Sequence, residues 1–309
     1  ISSSTQVGNK NPLTGEMNLD KDSINKRPLA IMINNIKISL PQRGISKADM
    51  FYETLAEGGI TRIMAMFVDP AKIPDLGSVR SARSYYVELA ASHNAIFAHA
   101  GGSDGAYSTI KKQGIDNIDF LKGVAASYRD KDRINNRIPT EHTLFTNADL
   151  LAKRLKNKNL TAEIDDFFRF GDNTKQMENA EAALNITAPF SNSAKATFTY
   201  DSESGLYKKG QFNAPHIDGA TGETLTLKNV FLLKTSITNT NDYKNHVAVD
   251  LTSGEGYYAC GGKVIPIRWQ KNGFNKQLKY YTMDNNEIFV AEGKSYVCIL
   301  PEKSNITFN

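Results

Sequence analysis

Apolar positions along this chain cluster in short runs bounded by turn residues, which is a strand-rich pattern. Pro28-Leu-Ala-Ile-Met-Ile-Asn34 is apolar throughout and predicts a strand buried on both faces. Met50–Leu55 alternates, with Tyr52 and Thr54 opposite Phe51 and Leu55. Gly58-Gly59 permits a tight reversal, and Ile60–Val68 returns as a second strand. Glu57-Gly-Gly-Ile-Thr-Arg62 therefore reads as a hairpin turn flanked by opposite charges. Ser81 to Ala91 is helical in composition, with Ser81 as a candidate cap, and Asn94–His99 reads as a strand. Ser103 is a candidate N-cap for a helix over Asp104–Gln113 that stops at Gly114. Leu144–Asn157 predicts another helix, with Asn147 near its start and basic residues in its last turns. Strands alternating with helices predict an α/β layer.

The pattern changes after about residue 160. Glu163 to Asn192 is polar, with Thr187-Ala-Pro-Phe190 as a turn. From Ala196 onward short β runs alternate with turns. Val230–Ile237, Tyr257–Cys260, Lys263–Gln270 and Ser295–Leu300 are among them, and Gly261-Gly262 and Asn272-Gly273 suit antiparallel reversals. The expected fold class is α+β / α/β: an N-terminal α/β domain followed by a mostly antiparallel β C-terminal domain. The expected divisions are a tether or linker over 1–26, the α/β domain over 27–160, a connecting segment over 161–192 and the β domain over 193–309.

Composition narrows the class without naming it. A chain of 309 residues, 40% hydrophobic and 23% charged, can bury a full core. The net charge of +4, from 37 basic and 33 acidic residues, is spread along the chain, so nucleic acid is not an expected partner. No apolar run approaches the roughly 18 residues of a membrane span. The Ser/Thr-rich start reads as a tether. The cysteines, Cys260 and Cys298, sit in apolar strand-like runs and read as buried thiols, with a cross-strand disulfide as the alternative. Neither a CxxC nor a Cys/His spacing is present, so no metal and no cofactor is expected.

Candidate chemistry concentrates between Ile45 and Gly105. Asp49, Glu53, Glu57, Arg62, Arg80 and Arg83 lie among core-like residues, where charge is expensive unless paired or used. The arginines suit bidentate capture of a carboxylate or phosphate, and internal pairing with the three acids is the competing reading. The loop His99-Ala-Gly-Gly-Ser-Asp-Gly105 has the order strand, glycines, helix start, which can cradle an anion. Gly101-Gly102-Ser103-Asp104-Gly105 also meets the GxSxG pattern of a nucleophile elbow, with His93, His99 or His142 as candidate bases. A capped helix with a tight turn explains the same residues. Arg129-Asp-Lys-Asp-Arg133 and the segment ending at His142 read as a polar loop before a helix. Glu53 and Glu57 are a minor candidate pair for glycoside hydrolysis. Trp269 reads as a core aromatic or, alternatively, a sugar or peptide platform.

Taken together, Arg27-Pro-Leu-Ala-Ile-Met-Ile-Asn-Asn35, Pro41-Gln-Arg-Gly-Ile-Ser-Lys-Ala-Asp49, Glu57-Gly-Gly-Ile-Thr-Arg62, Val79-Arg-Ser-Ala-Arg83 and His99-Ala-Gly-Gly-Ser103 form a specific set. Tyr128-Arg-Asp130, Gly254-Glu-Gly256, Gly262-Lys263 and Trp269-Gln-Lys271 extend it through the second half. With these motifs the chain resembles the YerB-like lipoprotein family of Gram-positive bacteria, a two-part domain of unknown function. Where that family carries a Pro-His-Asn-like triplet, this chain has Thr140-Glu-His142. The resemblance implies export, a lipid anchor on a cysteine upstream of Ile1, and residence on the extracellular face of the cell membrane.

The expected function is a non-catalytic binding or scaffold protein of the cell envelope, assisting cell-wall synthesis through envelope proteins or anionic wall precursors. Its ligand-binding residues would be Glu53, Glu57, Arg62, Arg80, Arg83, His99, Gly101, Gly102, Ser103 and Arg129. The alternative is a serine-dependent hydrolase or transferase acting on cell-wall material, with Ser103 as nucleophile and His99 or His142 as base.

Overall fold

A computed structural model describes residues 8–163, 166–242 and 244–309. The Ser/Thr-rich stretch up to residue 7, part of the expected tether, lies outside the described residues. The molecule is mostly sheet with few helices.

Three strands form the centre: β1 (Leu29–Asn35), β2 (Met50–Leu55) and β3 (Thr61–Phe67). β3 lies between the other two and runs antiparallel to both, with Met64 opposite Met32 and Tyr52. Beyond β1, Ile96–His99 and Asn117–Asp119 pair parallel. Beyond β2, the strand Ser295–Pro301 pairs parallel, and Asn229–Thr235 pairs parallel with it in turn. Ser253–Cys260, Lys263–Gln270 and Lys279–Thr282 continue antiparallel. The two halves of the chain thus share one 11-stranded sheet.

Both faces of this sheet are covered, which explains the unbroken apolar runs at its centre. Leu29, Ile31 and Ile33 of β1 pack in one cluster with Phe198 and Tyr207, from a second, 6-stranded sheet. Ala30 and Met32 pack on the other face with Tyr86 and Leu89 of helix α1 (Ser84–Ser92). Trp269 is 1% exposed, a core position. Cys260 and Cys298 are buried free thiols. Among the described residues no helix is long and apolar enough to cross a membrane.

Helix α2 (Asp104–Gln113) has the expected limits: Ser103 Oγ accepts the Ala106 amide at 3.2 Å, and Gly114 turns left-handed at φ +63°. Elsewhere pairing overrides local composition. The expected helix from Ser81 starts instead at Ser84, because residues 78–83 stay extended. Arg80 N donates to Met32 O, and Ala82 N to Gly101 O, each at 2.9 Å. Leu144–Thr146 is a strand, so the next helix begins only at Ala148, capped by Asn147. Asn185–Pro189, within the polar stretch, pairs antiparallel with Lys195–Asp201. The antiparallel expectation for the second half holds for the strands from Ser253 to Thr282. It does not hold for Asn229–Thr235 with Ser295–Pro301, whose pairing is parallel.

Candidate functional site

β1, Ile96–His99 and Asn117–Asp119 are parallel, so Asn34, Asn35, His99 and Asp119 share one edge of the sheet. The start of β3, with Thr61 and Arg62, and the end of β2 reach the same edge. The chain leaving β1 turns toward β2, whereas the chain leaving Ile96–His99 turns away toward Asn117–Asp119. Such divergence opens a crevice outside the carboxyl ends of the strands, where α/β sheets bind ligands. Residues 78–83 lie in it: Ser78 O accepts Asn34 N at 2.9 Å, and Arg80 O accepts Ala100 N at 3.0 Å.

Within this edge the predicted residues separate into distinct groups. Glu57 is the centre of the first. Arg62 Nη2 pairs with Glu57 Oε1, and Arg83 Nη2 and Nε reach Oε2 at 2.6 and 3.2 Å. Arg62 also donates to Ser81 O at 3.0 Å and Arg83 to Ala82 O at 2.7 Å. Burial, with Arg83 adding to it and Glu57 opposing, lowers Arg62 to about 10, so it stays charged at neutral pH. Removing one partner from a buried ion pair strands the other, at a cost of about 3–5 kcal/mol. Arg62 and Arg83 therefore act first as an internal network with Glu57.

The glycine loop is also internally satisfied. Gly101, at φ +71°, donates its amide to Asp119 Oδ1 at 3.0 Å, and Ser103 N donates to Ala82 O at 3.2 Å. Burial raises the Asp119 pKa, but hydrogen bonds from Tyr107, Gly101 and Leu121 outweigh it and hold the carboxyl below its usual range. A carboxylate of the protein thus occupies the place an external anion would take in this loop. His99 contacts Gly101 O through Nδ1 at 2.8 Å and Asn117 Oδ1 through Nε2 at 3.2 Å. His142 Nδ1 accepts from Asn34 Nδ2 at 2.7 Å. Ser103 Oγ serves as the helix cap, and the structure pairs it with neither histidine.

Glu53 belongs to a different, fully buried network, which separates it from Glu57. Its carboxylate accepts Asn35 Nδ2 at 2.8 Å, Thr61 Oγ1 at 2.7 Å and Tyr296 OH at 2.6 Å. Lys209 Nζ, from the second sheet, lies 3.7 Å away and donates to Gln211 Oε1 at 3.0 Å. It also lies 3.2 Å from His216 Nδ1, whose Nε2 is 2.8 Å from Gln42 Oε1. Sequence reading missed Lys209, because nothing local distinguishes a buried lysine from an exposed one in an alternating strand.

Three arginines that make no direct ion pair with a carboxylate among the described residues meet at the crevice mouth, although Glu141 acts on Arg80 and Arg129 through space, and Asp130 on Arg133. Arg80 Nη1 donates to Glu141 O at 3.2 Å, and Arg129 Nη1 to Thr140 O at 2.5 Å. Arg133 Nη1 donates to His142 O at 3.2 Å and to Ser39 O at 2.9 Å. Three guanidinium groups thus surround three successive carbonyls of one turn. Carbonyl dipoles satisfy donors but leave the positive charge in place. The neighbouring Arg43 is neutralised by Asp130 and stacks on the Phe145 ring, 4.3 Å from its centroid. Burial lowers His142, and Arg80 lowers it further, so its ring is neutral at pH 7. Arg80 and Arg129 are among the expected ligand-binding residues; Arg133 is not, and it stands in the stretch expected to be a polar loop before a helix. Arg129 ends the strand Tyr128–Arg129 and Arg133 lies in the short helix Lys131–Asn135 that follows, so no single periodicity links them in the sequence.

Residues 13–161 match a family described as Protein of unknown function (DUF3048) N-terminal domain, and residues 186–297 match the DUF3048 C-terminal domain. The chain is 29% identical over 301 residues to a Bacillus subtilis (strain 168) protein named "Putative lipoprotein YerB", across 95% of this chain and 86% of that protein. It is also similar to the crystal structure of the YerB protein from Bacillus subtilis, with a TM-score of 0.82 and 26% identity, covering 96% of this chain and 99% of that one.

Proposed function

As this chain belongs to the DUF3048 family, through both its N-terminal and its C-terminal domain, we propose that it is a lipid-anchored envelope protein that binds an anionic group without transforming it. The lipid anchor and the extracellular location rest on the name of the Bacillus relative. The anion would be a phosphate or carboxylate of a wall precursor or of a partner protein. It would lie against Arg80 and Arg129, not deep among Arg62, Arg83 and the glycine loop. The observation that carries this is the ring of Arg80, Arg129 and Arg133 around Thr140–His142, where the guanidinium groups donate to neutral carbonyls and make no direct ion pair with a carboxylate among the described residues. The binding reading is further supported by Ser103, whose Oγ caps the helix, and by His99 and His142, whose hydrogen bonds go to Gly101, Asn117 and Asn34 and not to that hydroxyl.

The test is calorimetric titration of pyrophosphate and of a muropeptide into the wild-type chain and an Arg80→Ala/Arg129→Ala variant. A hydrogen bond to a charged group contributes about 1.5–3 kcal/mol, so affinity should fall at least tenfold in the variant. Equal binding by both proteins, or none by the wild type, would reject the site.

A further inference from the structure

The crevice mouth is not only cationic. Among the described residues, eight large hydrophobic side chains are strongly exposed, and four of them stand on the connections at this one edge of the sheet, two in a loop and two in short helical turns. Leu121 and Val124, 58% and 64% exposed, follow the strand Asn117–Asp119 on one side. Leu121 reaches toward Gly101, where an added Cβ would meet its Cδ1 at 3.2 Å. Ile38, 47% exposed, follows β1 on the other side. Ile134, 49% exposed, neighbours Arg133, whose guanidinium donates to Ser39 O at 2.9 Å and so ties that helix to the Ile38 turn. Leu121 and Val124 thus flank the arginines on one side, and Ile38 and Ile134 on the other.

We infer that this edge is a docking surface for a protein segment that presents a carboxylate between apolar side chains. A free phosphate or sugar would use the arginines but gain nothing from isolated aliphatic groups on both flanks. Interfaces place charge complementarity beside desolvated apolar anchors, which is the arrangement here. A bilayer could also take aliphatic side chains beside basic residues, but two isolated aliphatic groups on each flank of an arginine cluster suit a segment that places a carboxylate between apolar side chains, and the vesicles below test the bilayer directly.

The inference rests on the anion-binding reading above, and the experiment separates the two. The probes are a synthetic peptide of alternating leucine and glutamate, its lysine counterpart, pyrophosphate, and vesicles of mixed phosphatidylglycerol and phosphatidylcholine. The proteins are the wild type, Arg80→Ala/Arg129→Ala and Leu121→Ser/Val124→Ser. The serine variant alters exposed side chains and should keep the wild-type melting temperature. The acidic peptide should bind the wild type at millimolar concentration or better and the lysine peptide should not. Both variants should weaken the acidic peptide at least fivefold, whereas only the arginine variant should lose pyrophosphate. Undiminished peptide binding by the serine variant would overturn the docking surface and leave the anion site standing. Absence of peptide binding to the wild type would overturn it too, as would vesicle binding that depends on Leu121 and Val124. Pyrophosphate binding unchanged by the arginine substitutions would bring down the anion site, and the inference with it.

Discussion

Asp119 accepts the amide of Gly101 at 3.0 Å across the end of the sheet, and with it the amide of Leu121 at 3.0 Å and the hydroxyl of Tyr107 at 2.7 Å. One carboxylate therefore holds the glycine loop, the loop that follows the last strand, and helix α2. Asp119→Ala would leave two backbone donors and one hydroxyl without an acceptor. Each buried donor left unsatisfied costs about 1–3 kcal/mol, so a loss of at least 2 kcal/mol is expected in urea unfolding. Tyr107→Phe removes one donor together with its need and should cost about 1 kcal/mol. If Asp119→Ala loses no more than Tyr107→Phe, the loop is held by something other than this carboxylate.

Lys209 and Glu53 come from different sheets and meet in the interior at 3.7 Å. Burial lowers the Lys209 pKa, and the Glu53 charge opposes that. Because Glu53 has three neutral donors and Lys209 has Gln211 and His216, each charge is partly satisfied without the other. Lys209→Met or Glu53→Gln alone still strands a buried charge or its partners and should cost about 3–5 kcal/mol. The double variant should be markedly more stable than the sum of the two losses, with a coupling of about 1 kcal/mol or more. Losses that add to within about 0.5 kcal/mol would mean the pair is only a near neighbour. Cross-sheet coupling would make this pair part of what joins the second sheet to the first.

Local chemistry was legible wherever a single residue decides an outcome. Ser103 and Gly114 bound α2 because a hydroxyl cap and a left-handed glycine act within one turn. Glu57 to Arg62 makes the hairpin for the same reason. Long-range pairing was not legible. Ser295–Pro301 reads as a strand, but its place between β2 and Asn229–Thr235 depends on partners roughly 245 and 65 residues away. The helix expected from Ser81 gave way because Arg80 and Ala82 found backbone partners in Met32 and Gly101. The candidate site was legible as a region but not as a set of roles. A sequence shows that Arg62, Arg80 and Arg83 are near one another along the chain. It does not show that Glu57 faces two of them and leaves the third to a carbonyl.

Buried histidines set the expected response to acid. His93 lies in the core with Nε2 2.8 Å from Tyr52 OH, and its Nδ1 has no hydrogen-bond partner among the described residues. Burial lowers its pKa to about 3. His216 is lowered well below its ordinary value by burial and then by Lys209. In both cases the folded value lies below the unfolded one, so the folded state holds the ring neutral and the unfolded state takes the proton first. Stability is then full above about pH 6.5 and falls as pH drops below it, with His93 contributing until about pH 3. Between pH 7 and pH 5 His93 should remove roughly 2 kcal/mol, before most carboxylates titrate, and His216 lowers stability in the same direction. His142 shifts in the same direction, but its place at the crevice mouth gives it a smaller share. Urea unfolding at the two pH values measures the fall directly. His93→Phe keeps an aromatic ring beside Phe167, whose centroid lies 4.3 Å from that of His93, and removes the titrating group. Whatever its stability at pH 7, that variant should lose roughly 2 kcal/mol less than wild type on going to pH 5. An identical fall in both proteins would mean that His93 is already protonated in the fold, or reaches solvent before unfolding.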